Sequence, residues 1–297
     1  MRREKGASFT AQSDLTNPRP RARLPLNSDT VAAPDADHKV DTPRPLVYDS
    51  VVCFPCRFQV YAQTHGHTTV QTYHHMDERG SALNVLVLSG DNHGFASSAQ
   101  VIHAALAAQP GLSLTLSDDK GLLTSSSLNT FDVIVFGTGF TRSSRLPDGS
   151  VKREPDLTPA QEAALRTFVA GGKGLVGIHG AAWWINGQAM DLIGGAANWH
   201  PPGLTFTVHV ERPDHPITHG IADFEVEDEI YISAYDPAVE ILASAEWHGR
   251  AHPMAWTKTY GQGRVFYTTL GHTKNTFERP AMQQLMAQGV RWAGGAG

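Results

Sequence analysis

The chain has 297 residues, 41% hydrophobic and 18% charged, enough for one large domain or two small ones around a sizeable core. A formal net charge of -5 with no basic stripe argues against nucleic acid as a partner. The sequence lacks a long uninterrupted apolar run, which argues against a membrane span, and two cysteines cannot make a disulfide framework.

The first eighty residues show no sustained period of 2 or 3.6 and are rich in Pro, Arg, Ser and Asn. Such a composition buries too little apolar surface to offset its ordering entropy. Residues 1–80 are therefore expected to be a disordered or non-native extension, and Met76 is a second candidate for the start of the chain. Cys53 and Cys56 form a CxxC followed by His65 and His67, which has some likeness to a zinc site, but a second ligand pair at a regular spacing inside a compact module is lacking and the flanks are tail-like, so the pattern is read as coincidence. No apolar leader segment occurs among the arginines of the first thirty residues, so a cytoplasmic location is expected.

From residue 83 the pattern changes. LNVLVLSG (83–90) and FDVIVFG (131–137) are apolar, β-branched runs that predict buried strands, and 112–116 alternates like another. Helical spacing of Val101, Ile102, Ala105 and Leu106 predicts a helix over 95–108. Thr158-Pro159-Ala160-Gln161 is a capping box with proline at the first helical position, opening a helix that runs to Gly171-Gly172. GLVGI (174–178) is the next strand. Further on, TFTVHVE (205–211) alternates, 241–247 reads as a strand, and 253–259 with 263–270 read as a hairpin about Gly261-Gln262. Pro280 opens a last helix to Trp292. The order implies an α/β fold: a mostly parallel sheet flanked by helices, with antiparallel strands added in the C-terminal half, over 83–295.

One junction carries chemistry. Strand 174–178 turns at His179 into Gly180, Ala181 and Ala182, the shape of a nucleophile elbow, in which small neighbours let an apex side chain stand at the carboxyl edge of the sheet. The apex here is His, a base, acid or metal ligand but not an acyl-transfer nucleophile, and both cysteines lie in the extension. The alternative is a buried structural histidine.

The motifs SGDNHGF, VGIHGAAWW, DLIGGAANWHPP, DHPITHGI, VEDEIY, PMAWTKTYGQGRVFYTTLGH and GVRWAGG resemble, in order, the ThuA-like (trehalose utilisation) family, from Asn84 to Ala293. The resemblance implies a class I glutamine amidotransferase-like, flavodoxin-like fold without the nucleophilic cysteine, hence no glutamine amidotransferase activity. It also implies a small-molecule sugar partner, namely trehalose, a related disaccharide or a 3-keto-sugar. On the matching motifs, His179 and His272 are expected to exchange protons, with Glu229 or Asp228 assisting. His93, Trp183, Trp199, His200 and Tyr231 are expected to hold substrate. Tryptophans suit sugars because their large apolar face carries one polar tip. The same histidines, His93, His179, His200 and His272, could instead hold a divalent metal, zinc first, in a metal-dependent hydrolase. A non-catalytic sugar-binding or regulatory module is the third reading. Whether the chain forms a homo-oligomer stays open.

Overall fold

The computed structural model describes residues 48–54, 57–64, 67–73, 82–89, 96–136, 141–182 and 189–296, the first three segments by their backbone alone. The expectations for His93, Trp183, Cys56, His65 and Met76 lie outside these residues. Strands β1 (Tyr48–Phe54), β2 (Arg57–Thr64) and β3 (His67–Tyr73) pair antiparallel in that order, where the aperiodic sequence gave no expectation of strands.

The main sheet begins with β4 (Leu83–Leu88), β5 (Leu112–Ser117) and β6 (Val133–Phe136), with helix α1 (Ala96–Ala107) crossing between the first two. A hairpin of β7 (Thr141–Arg145) and β8 (Val151–Pro155), almost wholly exposed, follows β6. Helix α2 (Pro159–Ala170) then leads into β9 (Gly174–Ile178). In α2 the hydroxyl of Thr158 accepts from the Gln161 amide while the Gln161 side chain accepts from the Thr158 amide, so the capping box forms as the sequence implies.

After α3 (Ala189–Ile193) the chain forms β10 (Gly195–Trp199), β11 (Leu204–Val210), β12 (Phe224–Asp228) and β13 (Ile232–Tyr235). Strands β14 (Glu240–Trp247), β15 (Arg250–Tyr260) and β16 (Gly263–Thr268) follow, then the short α4 (Lys274–Phe277) and α5 (Pro280–Ala293). The nine-stranded order is β12-β11-β14-β15-β16-β9-β6-β4-β5. From β16 to β5 every pairing is parallel; from β12 to β16 every pairing is antiparallel. Strands β10 and β13 form a separate antiparallel pair.

The parallel strands are apolar at every position because both faces are covered. Val85, Val87, Val133, Val135, Val176 and Ile178 point to one face, where Ile102 and Leu106 of α1 and Leu285, Met286 and Val290 of α5 pack on them. Leu86, Leu88, Ile134, Phe136 and Leu175 point to the other, against Leu165, Phe168 and Val169 of α2. In β11 the alternation buries Phe206 and Val208 and leaves Thr205, Thr207 and His209 exposed. Trp256 of β15 is fully buried and donates from Nε1 to the Ile193 carbonyl at 2.9 Å, so this tryptophan serves the core. Among the described residues no helix is long and apolar enough to cross a membrane.

The topology decides where the chemistry falls. Strands β9 and β16 are parallel, and β14 and β12 run in the same direction two and four strands along. The carboxyl ends of β9, β16, β14 and β12 therefore share one edge of the sheet, the edge at which open α/β sheets bind ligands. His179, His272, Trp247 and Asp228-Glu229 all lie at or just beyond those ends.

Candidate functional site

His179 follows β9 directly, at the head of a 3₁₀ turn over His179–Ala182. Its φ is +46°, a left-handed value that only tight surroundings hold in a non-glycine residue. Those surroundings are visible. The Tyr267 hydroxyl donates to the His179 carbonyl at 2.7 Å, and the ring, 1% exposed, places Nδ1 at 2.6 Å from the Thr269 carbonyl. A carbonyl only accepts, so Nδ1 carries a proton, and in the neutral ring Nε2 carries the lone pair. The Tyr231 hydroxyl donates to that Nε2 at 2.7 Å.

The carboxyl end of β12 meets the loop after β16. Buried Asp228 accepts from the amides of Glu229 (2.8 Å), Gly271 (2.8 Å) and His272 (3.2 Å) and from the Thr276 hydroxyl (2.6 Å). Gly271 has φ +121°, and a Cβ there would stand 2.8 Å from the Phe277 ring, so the position needs glycine. Asp228 thus clamps the loop that carries His272. His272 Nδ1 lies 3.2 Å from His179 Nε2 and 3.3 Å from Glu229 Oε2, which in turn is 3.6 Å from His179 Nε2. Glu229 Oε1 faces His200 Nδ1 at 3.4 Å, and that nitrogen also meets the Pro201 carbonyl at 2.9 Å.

Burial raises the Glu229 carboxyl above its ordinary range; attraction to His272 and His200 works against that, and the neighbouring Asp228 adds to it. Burial also raises Asp228, against the pull of its four donors. His179, Tyr231, Glu229 and Asp228 are buried, whereas the side chains of His272 and His200 are 38% and 30% exposed. The cluster is therefore reached from the His272–His200 side.

Of the residues singled out in the sequence, the fold brings His179, His272, Glu229, His200 and Tyr231 together. Asp228 sits beneath them with its oxygens committed to the loop. Trp199 borders the group, 52% exposed, one residue before His200. His215 shapes a turn, its Nδ1 accepting from the Ile217 amide at 3.1 Å. Sequence reading missed the Thr269 carbonyl that fixes the His179 tautomer, the Tyr267 hydroxyl behind the elbow, and Thr276. A backbone carbonyl has no side-chain signature, and Tyr267 and Thr276 read as ordinary core and helix residues.

Nε2 of His179, Nδ1 of His272 and Oε2 of Glu229 all lie within 4.8 Å of one another, a set that could hold a metal ion. Tetrahedral bonds of about 2.0–2.2 Å require ligand atoms about 3.3–3.6 Å apart, close to the spacings present. Oε2 of Glu229 is buried and accepts no hydrogen bond among the described residues, and a ligating histidine commonly donates its other N–H to a carbonyl, as His179 does. The residues therefore fit a His₂Glu centre. His200 stands outside this set.

The ThuA model, described as trehalose utilisation, matches residues 84–293. The chain belongs to the ThuA family. Solved structures share the ThuA fold with it. A ThuA-like protein from Bacteroides uniformis is 21% identical with a TM-score of 0.58, over 72% of this chain and 92% of that one. One from Parabacteroides merdae is 17% identical with a TM-score of 0.58, over 72% and 90%. A cytoplasmic protein from Salmonella typhimurium is 14% identical with a TM-score of 0.52, over 71% and 99%. No curated protein matches the chain.

Proposed function

We propose that this ThuA-family chain is an enzyme of disaccharide breakdown that moves a proton on a sugar or 3-keto-sugar, with His179 as the base. The observation that carries the reading is the fixed tautomer: Nδ1–H is tied to the Thr269 carbonyl, so a lone pair is aimed at the cluster of Tyr231, His272 and Glu229. A hydrogen on the carbon beside a keto group is acidic enough for imidazole to remove. When Nε2 takes that proton it can no longer accept from Tyr231. The phenol is then free to donate to the oxygen on which negative charge develops. Glu229 stabilises the imidazolium, and His272, reached from solvent, returns a proton to the departing oxygen. The family's description as trehalose utilisation supports a sugar substrate. The test is turnover of 3-keto-trehalose. The wild-type chain should turn it over, and Glu229→Gln should lose at least about 10²-fold in kcat/KM, the lower end of what acid–base groups contribute. No turnover by the wild type would defeat the reading.

The spacing of His179, His272 and Glu229 favours a second reading, in which the three hold a divalent metal. A bound ion would supply Lewis acidity at a sugar oxygen or an activated water. Metal analysis of the purified chain, and activity before and after dialysis against a chelator, separate the two. Full activity with no bound metal selects the acid–base reading, and loss restored by zinc selects the metal.

A further inference from the structure

We propose that the free edge of β5 is a self-pairing surface, through which two copies of this chain join their main sheets into one. That sheet has two outer strands, β12 and β5. An outer strand shows unpaired N–H and C=O groups, and proteins commonly guard it with charges, proline or a bulge. Strand β12 is guarded: Glu225 and Glu227 are exposed, and the Thr276 hydroxyl of α4 reaches the Glu227 carbonyl. Strand β5 is not. Its residues Leu112-Ser113-Leu114-Thr115-Leu116-Ser117 hold no charge and no proline, and their register with β4 runs without a bulge.

The ladder fixes which groups are free. The Leu83 amide donates to the Gly111 carbonyl and the Ser89 amide to the Ser117 carbonyl, both at 2.9 Å. A parallel ladder bonds through every second residue, so Gly111, Ser113, Thr115 and Ser117 face β4. The N–H and C=O of Leu112, Leu114 and Leu116 therefore point out of the sheet, with no backbone partner there among the described residues. A second copy, turned about a twofold axis normal to the sheet, offers the same groups in the antiparallel sense. Leu114 then pairs with the partner's Leu114, and Leu112 with the partner's Leu116. Leucines meet on the face where Leu116 is 38% exposed, and Ser113 meets the partner's Thr115 on the other. Charge favours an identical partner at this edge. A chain of net charge -5 repels its own kind over much of its surface, and least at an uncharged strand. The same register sets the exposed Asp118 opposite the partner's Pro110, whose carbonyl accepts from Arg291 Nη2 at 3.1 Å. Burial draws the Arg291 pKa down, and among the described residues no carboxylate opposes that shift. The twofold axis makes this Asp–Arg approach twice. The His179 cluster stands at the ends of β9, β16 and β12, with β6 and β4 between β9 and β5, so the pairing leaves it open.

The test is sedimentation of the full chain across a roughly hundredfold range of concentration, with hydrogen exchange to locate the contact. Wild type should be dimeric at the upper end of that range, and the amides of Leu112, Leu114 and Leu116 should become protected as the dimer forms. Ser113 and Thr115 are exposed and lie opposite one another across the axis, so charges placed there act on the pairing and spare the core. The double variant Ser113→Lys with Thr115→Lys sets like charges face to face and should weaken self-association at least about tenfold, as should Ser113→Glu with Thr115→Glu. An equal mixture of the two double variants should dimerise again, which separates loss of pairing from loss of fold. A chain that stays monomeric at every concentration overturns the proposal, whatever else covers β5. So does a dimer that both double variants leave intact, or one that leaves exchange over 112–117 unchanged.

Discussion

His179 and Asp228 are both buried polar residues in the same cluster, and their partners assign them opposite tasks. His179 spends one nitrogen on a carbonyl and keeps the other for chemistry. Asp228 spends both oxygens on three amides and a hydroxyl, and so acts as a positioning residue for His272 and Glu229. Asp228→Ala would leave three N–H groups, two of them buried, and the Thr276 hydroxyl without this acceptor. It should cost about 3–5 kcal/mol, read as a lowered denaturation midpoint. Tyr231→Phe keeps the ring and removes the hydroxyl at 2.7 Å from Nε2. It should lower kcat by at least about tenfold with little change in melting temperature. Glutamine hydrolysis should be absent, since the elbow presents imidazole where a thiolate would be needed to form a thioester. At this scale the sequence was most legible where a side chain sits in a tight turn. His179 stood out because small residues surround it. The division of labour between Asp228 and Glu229 was hidden, because two adjacent carboxylates look alike until their partners are known.

Elements were legible where one physical pattern dominated. The apolar runs at 83–88, 133–136 and 174–178 read as strands covered on both faces because they are short, mostly β-branched or leucine and bounded by turn residues, and the capping box marked α2. Strands β10, β12 and β13 escaped because four or five residues of mixed burial carry no readable period, and the exposed β7–β8 hairpin has no buried face to imprint one. Packing between α5 and β16 gives a sharp test. A Cβ at Gly289 would stand 2.3 Å from the Phe266 ring, so Gly289→Ala, favourable for helix propensity alone, should instead destabilise by about 1–3 kcal/mol, seen as a fall in melting temperature. The loop between β11 and β12 predicts a pH dependence. Burial lowers the His215 pKa below 6.5; Glu240 opposes the shift, Arg212 adds to it, and Trp292 packs on the ring. Between the folded and unfolded values the unfolded chain binds more protons, so stability should fall as pH drops below about 6.5. The Ile217 amide bond to Nδ1 is lost on protonation. His215→Asn should flatten that part of the curve in denaturation midpoints taken from pH 7.5 to 5.

For the molecule as a whole, the parallel half of the sheet and its helices followed from the alternation of apolar strands with helical segments. The order of the antiparallel half did not, because which strands pair across tens of residues leaves no local mark. Glu229 follows β12, five strands from β9 in that order, yet lies 3.6 Å from His179, a contact with no local mark in the sequence. The ThuA match begins at Asn84, and both apolar clusters are built from Leu83 onward among the described residues. Removing residues 1–75 should therefore leave the melting temperature unchanged within a degree or two, and a drop of several degrees would show that the extension contributes to the fold. The account turns on one claim, that Nε2 of His179 takes a proton from the substrate. Incubating the chain with 3-keto-trehalose in D₂O and following the carbon beside the keto group by NMR measures that transfer itself. Wild type should wash deuterium into that position, and His179→Gln should slow the wash-in by at least about 10²-fold. Equal rates in the two proteins would show that His179 is not the base.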